Sequence, residues 1–306
     1  MRLSTLLKFL FTIAGLVYIL LTIPLDAIWF AITHAQGTWL LVAFLLILGS
    51  LVVRAFRWWL LLKGLGANVG LGRLIALYFV GAFFNTFLPS GFGGDAVRVI
   101  EATQDAPMDV AAGTVILDRL TGLLMLFVMA LLALPFRPSS FPDGLAVSIA
   151  ALSLAGLVGG FLLLGGGLIY RLGRWAPASL SPVGSGPVAR LMQAIRGCGR
   201  GAIGQALFVS LVFNLMLVAW WLAAGLAVGL QIPLVYYLLV VPILSVGLLA
   251  PSVGGLGVRE SLAPLLFATA GAAEARAVAM SLLVFALTVA AGLLGAPLYV
   301  VSLWRK

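Results

Sequence analysis

The chain has 306 residues, of which 63% are hydrophobic and only 9% are charged, and its net charge is +9. In a soluble protein this excess of positive charge would suggest nucleic acid, but here the basic residues flank apolar runs of about 20 residues, each long enough to cross a bilayer. One cysteine and one histidine exclude a disulfide and a Cys/His metal site, so composition predicts an all-α polytopic membrane protein with no cofactor, no metal and no nucleic-acid partner.

Six apolar runs are predicted to be full transmembrane helices. They cover residues 6–25, 39–62, 111–135, 145–169, 203–230 and 278–303. The first run is too long for a signal peptide and lacks a convincing cleavage site, so we expect it to be retained.

Two shorter apolar segments, 74–88 and 234–250, each end at a Pro-Ser step followed by paired glycines. The sequence reads LPSGFGGDAVR over residues 88–98 and LAPSVGGLGVRE over residues 249–260. With one residue deleted, six positions carry the same residue types. The chain is therefore predicted to be a single membrane transport domain, 1–306, built from two pseudo-repeats of approximately 1–140 and 141–306.

The distribution of basic residues decides between two topologies. If both broken segments crossed the membrane fully, the arginines of 171–200 would face outward while the basic region 54–63 faced inward, against the positive-inside rule. If each break is the tip of a re-entrant helical hairpin, both termini and both basic regions are cytoplasmic, and only Arg137 and Arg276 are outside. The sequence thus predicts an inverted repeat in the cell inner membrane, with one hairpin entering from each face.

A short basic amphipathic helix is predicted before the fifth span. Its apolar face would carry Val188, Leu191, Met192 and Ile195, and its polar face would carry Arg190, Gln193, Arg196 and Arg200. Such a helix is typical of segments that lie on an anionic membrane surface. Whether the basic segment 171–200 regulates or only anchors stays open at this point.

The two breaks predict a shared polar site, because broken backbone at membrane depth survives only where protein or a water-filled cavity satisfies it. A helix that restarts after paired glycines presents free N–H groups and its positive dipole end, which suits an anion. The candidate substrate-binding residues at the breaks are Gly93, Gly94, Arg98, Gly254, Gly255 and Arg259. Arg54 and Arg57, three residues apart on one helix face, are either interfacial anchors or further phosphate ligands.

Four other ionisable residues are candidates for ion coupling or gating: Asp95, Asp118, Arg119 and Glu260. Asp118 and Arg119 are sequence neighbours and cannot face each other on a helix, so each needs another partner. Asp95, Arg98 and Glu101 can supply those partners. The alternatives are a structural ion-pair network and a coupling role.

Two asparagines in apolar segments, Asn85 and Asn214, are predicted to form hydrogen bonds between helices.

Three motifs in the expected order carry a family resemblance: FNTFLPSGFGGDAVR at 84–98, ILDRLTGLL at 116–124 and LLAPSVGGLGVRE at 248–260. The chain resembles the flippase-like integral membrane family related to the membrane region of lysylphosphatidylglycerol synthase. The resemblance implies a lipid-translocating domain whose cargo ranges from aminoacylated phosphatidylglycerol to polyprenyl-phosphate-linked sugars. Because no aminoacyl-transferring domain follows the membrane region in this sequence, we do not expect synthase activity.

The predicted function is a lipid flippase or transporter, not an enzyme, with an anionic lipid headgroup and membrane lipids as partners and possible proton or sodium coupling. One alternative is a membrane enzyme of lipid-linked sugar metabolism, which a metal-binding cluster of carboxylates would favour. Another is a non-transporting assembly subunit with an apolar, closed interface. The lipid cargo, the direction of transport, the coupling ion and the oligomeric state do not follow from the sequence.

Overall fold

A computed structural model describes residues 21–87, 93–165, 186–247 and 257–304. Those ranges contain α-helices, one short 3₁₀ turn and no β-strand, which confirms the all-α prediction. The first predicted span, 6–25, lies almost entirely outside the described residues.

Five of the predicted spans are confirmed as helices that are long and apolar enough to cross a membrane. They are α2 (Gly37–Gly64), α5 (Met108–Ala133, extended by a 3₁₀ turn over Leu134–Phe136), α6 (Asp143–Gly165), α8 (Gly199–Ala227) and α11 (Glu274–Leu293), the last continued by α12 (Gly295–Trp304). The shorter helices are α1 (Leu25–Thr33), α3 (Leu71–Phe87), α4 (Gly93–Ala102), α7 (Pro187–Gly197), α9 (Leu234–Gly247) and α10 (Val258–Ala268).

Helices α3 and α4 pack side by side in opposite directions. At one end the Asn85 Oδ1 atom accepts a 2.8 Å hydrogen bond from the Gly94 N–H. At the other end the Arg73 Nη2 atom lies 3.7 Å from the Glu101 Oε2 atom. The predicted first hairpin is therefore an antiparallel helix pair over its described residues, and its entry into the membrane from one face stays a prediction.

The second predicted hairpin has the same antiparallel arrangement in α9 and α10. The Tyr236 hydroxyl donates a 2.9 Å hydrogen bond to the Leu266 carbonyl, and at the opposite end Gly247 lies against Leu262. Residues 248–256, which contain this Pro-Ser break, are outside the described part of the chain. Gly257, just before α10, has a φ of +86°, a left-handed conformation that glycine adopts without steric cost.

Helices α2 and α8 form the central pair of the molecule and run antiparallel along their length. The Gln36 N–H donates a 2.9 Å hydrogen bond to the Ala227 carbonyl, and at the other end a side chain on Gly64 would meet Ala202. Each of these helices precedes a helix pair in its own half of the sequence. An antiparallel course for two equivalent helices is what an inverted repeat requires, and the repeat itself stays a prediction.

The amphipathic helix α7 has the predicted faces but a different neighbour. Met192 and Ile195 are only 8% and 6% exposed, and they pack with residues of α2, α5 and α8. The absence of a side chain at Gly113 in α5 allows Ala194 to approach closely. Protein therefore covers the apolar face of α7, and the location of this helix at the inner membrane surface stays a prediction.

Candidate functional site

A cluster of charged residues, most of them buried, lies where α2, α3, α4 and α5 meet. Two arginines come from α2, an aspartate and an arginine from α4, and an aspartate and an arginine from α5. In chain order they are Arg54, Arg57, Asp95, Arg98, Asp118 and Arg119. The structure thus brings six of the predicted site residues together.

Asp118 is the central acceptor of this cluster and is 0% exposed. Its Oδ1 atom accepts a 2.6 Å hydrogen bond from the Arg57 Nε atom. Its Oδ2 atom accepts a hydrogen bond from the Tyr78 hydroxyl and lies 3.6 Å from the Arg98 Nη2 atom. One carboxylate therefore connects α2, α3 and α4 to α5.

Asp95 makes the second connection between α4 and α5. It accepts a 2.8 Å hydrogen bond from Arg98 Nη2 and a further one from Arg119 Nε. The predicted partners in α4 are confirmed: Arg98 lies beside Asp118 and Asp95 pairs with Arg119. The third suggested partner, Glu101, instead lies beside Arg73 at the far end of the helix pair.

The cluster contains four arginines but only two aspartates, and two of the arginines keep unused donors. The Arg98 Nε and Nη1 atoms and the Arg54 Nε atom are buried without a hydrogen-bond partner among the described residues. The Arg98 guanidinium lies 4.0 Å from the centroid of the Tyr78 ring, and that of Arg54 lies 5.1 Å from the same ring. A buried cation needs a counter-charge and hydrogen-bond acceptors, so the unused donors define a site that an anion would complete.

A small polar cavity adjoins these donors. Its volume is about 20 Å³, and its polar lining comes from Arg54, Tyr78, Asn85, Asp95 and Arg98. That space fits about one water molecule. It is too small for a phosphate group unless the surrounding helices move apart.

Arg57 differs from Arg54 and Arg98 because the protein satisfies it. Besides its bond to Asp118, its Nη1 atom donates a 2.9 Å hydrogen bond to the Ser210 hydroxyl in α8. Its guanidinium also packs against Gly122. The structure therefore gives Arg57 a role in joining α2, α5 and α8, and of the two α2 arginines only Arg54 retains the unused donor expected of a phosphate ligand.

In the second half, Arg259 and Glu260 form a separate, charge-balanced pair. The Arg259 Nε atom lies 3.1 Å from Glu260 Oε1, and Glu260 Oε2 accepts a 2.7 Å hydrogen bond from the Gly257 N–H. Ser281 in α11 donates a longer, 3.4 Å bond to Glu260. One buried Arg259 donor, Nη2, has no partner among the described residues. Arg98 and Arg259 share no ion-pair partner among the described residues. The polar site shared by the two breaks stays a prediction, because residues 88–92 and 248–256 lie outside the described part of the chain.

The glycines of the breaks are only partly described. Gly93 is the first residue of α4. The Gly94 N–H is occupied by Asn85, and a Cβ at Gly94 would fall on the carbonyl oxygen of Gly81. The structure thus gives Gly94 a packing role and not the free N–H expected of an anion ligand. Gly254 and Gly255 lie outside the described residues.

Both asparagine predictions are confirmed. Asn85 accepts a hydrogen bond from the Gly94 N–H in α4, and Asn214 donates a 3.0 Å hydrogen bond from α8 to the Gly122 carbonyl in α5.

Two residues of the site, Tyr78 and Ser210, were not predicted from the sequence. Tyr78 is a lone phenol in the apolar segment that runs to the first break, and this signal could have identified it. Ser210 lies 153 residues from its partner Arg57, and serines in apolar helices are too common to single it out.

No three His, Cys, Asp or Glu side chains within the described ranges are placed to hold a metal ion.

Comparison with known proteins gives two matches. The sequence model described as the lysylphosphatidylglycerol synthase TM region matches residues 5–295. A UPF0104 membrane protein of Pyrococcus horikoshii is 30% identical over 138 residues, which cover 41% of this chain and 40% of that protein. The matched region therefore spans about two fifths of that curated relative.

Proposed function

The chain belongs to the family of lysylphosphatidylglycerol synthase transmembrane regions, and from that premise we propose that it is a flippase that moves a phosphate-bearing lipid between the leaflets of the membrane. The cargo class is a phospholipid or a polyprenyl-phosphate-linked lipid. The headgroup would occupy the arginine cluster while its hydrocarbon chains remain in the bilayer. We also propose that the chain is not an enzyme.

One observation carries this proposal: two arginines, Arg54 and Arg98, keep buried and unused hydrogen-bond donors beside a polar cavity. Moving an anionic headgroup through hydrocarbon is costly because the charge loses its water, and donors along a protected path lower that cost. Arg98 offers Nε and Nη1, and Arg54 offers Nε. Two charge-assisted hydrogen bonds from Arg98 to a phosphate would together contribute about 3 kcal/mol.

The cavity must open for a headgroup to enter, so transport requires a helix movement. The cavity is lined by residues of α2, α3 and α4, and α4 is joined to α5 through Asp95 and Asp118. An incoming phosphate would compete with these carboxylates for Arg98 and loosen the joint. Asp95, Asp118 and Arg119 are therefore the proposed gate.

The charge-balanced pair of Arg259 and Glu260 suits a different role, because a neutral pair has less need of an anion. We assign to Glu260 the coupling of transport to a proton or sodium gradient, through changes in its pairing with Arg259. The two helix pairs would thus act unequally, the first on the headgroup and the second on the coupling ion.

The test is leaflet exchange in proteoliposomes. Purified parent protein and the Arg98→Gln variant are reconstituted with labelled phosphatidylglycerol or a labelled polyprenyl phosphate, under a proton or a sodium gradient. Loss of about 3 kcal/mol predicts exchange that is slower by roughly 100-fold for the variant. The variant should fold, because Asp95 retains Arg119 and Asp118 retains Arg57.

The matched control is Arg73→Gln, which removes an arginine from the same helix pair but at its solvent-facing end, where the side chain is 28% exposed. It should exchange lipid at the parent rate. The flippase proposal fails if the parent protein exchanges neither lipid faster than protein-free vesicles under either gradient. The site assignment fails if folded Arg98→Gln exchanges lipid at the parent rate.

A further inference from the structure

A second feature, outside the arginine cluster, is an open groove on an exposed side of the central pair of helices, α2 and α8. It has a volume of about 460 Å³ and is lined by Phe56, Leu60, Gly204, Gln205, Phe208 and Val209. The walls are two phenylalanines that remain exposed, Phe56 at 38% and Phe208 at 66%. The groove lies between the C-terminal half of α2 and the first turns of α8.

Glycine keeps the groove open at its centre. A Cβ atom added to Gly204 would meet no other atom within 4 Å. The protein therefore does not need this glycine for its own packing, in contrast to Gly64 nearby, where a Cβ would meet Ala202 at 2.7 Å.

Two cationic residues, Lys63 and Arg200, lie at the helix ends next to the groove, the ends that the predicted topology puts at the membrane surface. Lys63 follows Leu60 by three residues and Phe56 by seven, so it lies on the same face of α2. Arg200 precedes Gly204 by four residues and Phe208 by eight, so it lies on the same stripe of α8. Both side chains are exposed. The contact of Gly64 with Ala202 brings these two helix ends together.

Between the cations and the phenylalanines lies one amide. Gln205 is exposed on an otherwise apolar stretch of α8, and among the described residues no side chain bonds it. Five residues separate it from Arg200, about 7.5 Å along the helix axis. Along the two helices, from their ends toward their middle, the cations come first, then the amide and then the apolar groove. The phosphate, the ester carbonyls and the acyl chains of a phospholipid follow one another in the same order.

We propose that this groove is a binding site for one anionic phospholipid, distinct from the arginine cluster. The phosphate pairs with Lys63 and Arg200, Gln205 donates to an ester carbonyl, and an acyl chain lies between Phe56 and Phe208. A bound lipid would fill the seam between α2 and α8 on the lipid-facing side. The Arg57 to Ser210 bond crosses the same helix pair, so the lipid is placed to stabilise the joint between the two halves of the chain.

Native mass spectrometry of the purified protein tests the site, with dioleoyl phosphatidylglycerol and dioleoyl phosphatidylcholine as probes. We expect one phosphatidylglycerol to be retained at least tenfold more than phosphatidylcholine. The Gly204→Leu variant adds a side chain to the groove at a position where a Cβ meets nothing within 4 Å, and the Arg200→Gln variant removes a cation. Each should lose that bound lipid by about tenfold, which for Arg200→Gln corresponds to the loss of about one charge-assisted contact.

A control variant tests whether the lipid is held in this groove. Gly159→Leu adds the same side chain to a position of α6 where a Cβ also meets nothing within 4 Å, and it should retain the lipid.

Equal retention of the two lipids, or full retention by folded Gly204→Leu, would overturn the proposal. A shift of Gly204→Leu from dimer to monomer in multi-angle light scattering would instead identify the groove as an interface between two copies and would also overturn it.

Discussion

Replacing Asp118 by asparagine should destabilise the protein more than any other single change in the arginine cluster. The side chain is fully buried and serves Arg57, Tyr78 and Arg98 together. Asparagine keeps the shape but removes the charge, so four arginines would then face only Asp95. Leaving a buried charge without its partner costs about 3–5 kcal/mol.

The measurement is thermal unfolding in detergent, followed by intrinsic fluorescence and by recovery on size-exclusion chromatography. For a chain of this size a loss of about 3–5 kcal/mol lowers the melting temperature by roughly 5–8 °C. The control is Asp143→Asn, which breaks an ion pair with Arg137 whose aspartate side chain is 86% exposed. Exposed pairs contribute at most about 1 kcal/mol, so this variant should melt close to the parent protein.

A third variant isolates the charge effect. In the double substitution Arg57→Gln with Asp118→Asn, one cation is removed together with the anion, and part of the lost stability should return. Two results would show that an excess of buried cations does not explain the loss of stability. One is an equal melting temperature for Asp118→Asn and Asp143→Asn. The other is a double variant that is less stable than the sum of its two single changes predicts.

Three further predictions address packing, reactivity and topology. Gly94→Ala should destabilise the protein by about 1–3 kcal/mol, because the new Cβ would overlap the Gly81 carbonyl oxygen on the facing helix. The control Gly72→Ala, where a Cβ meets nothing within 4 Å, should be neutral or stabilising. Equal melting temperatures for the two variants would contradict the close packing of α3 and α4. Burial raises the pKa of the Cys198 thiol to about 11, and the thiolate is the form that reacts. Maleimide labelling of Cys198 at pH 7 should therefore be far slower in the folded protein than in protein unfolded with SDS. Equal labelling rates would show that the thiol is accessible in the folded protein. Single cysteines at Gln36 and Gln193, both exposed, should label from opposite sides of the membrane in a background lacking Cys198, and labelling from the same side would end the inverted-repeat prediction.

The sequence was sufficient to predict five spans that the structure describes, the two antiparallel helix pairs and part of the ion-pair network. Long apolar runs determine transmembrane helices because the bilayer requires a minimum length and internal hydrogen bonding. The partners of Asp118 and Arg119 could be sought in the nearby polar helix because a charge inside an apolar span needs one. Arg98 and Asp95 were found there.

The pairing of Arg57 with Asp118 could not be predicted, since the two residues are 61 positions apart and their contact depends on how α2 and α5 are rotated against each other. An arginine near a helix end fits an interfacial anchor equally well from sequence. The docking of α7 was missed for a related reason. An apolar helix face indicates only that this face is shielded from water. Lipid and a groove between protein helices can both provide that shielding.

The long sequence separation within the arginine cluster has a consequence for biosynthesis. Arg57 emerges 61 residues before Asp118 and 153 residues before Ser210. At about 5–20 residues per second, α2 would wait roughly 3–12 s for its counter-charge and roughly 8–30 s for its partner helix α8. During that interval two arginines sit in a helix that has no acid to neutralise them, so the nascent helix should remain beside the insertion machinery, or shifted toward the interface, until α5 arrives. A chain stalled before residue 118 would consequently be cross-linkable to the translocon through α2, and a chain stalled after residue 133 would be released.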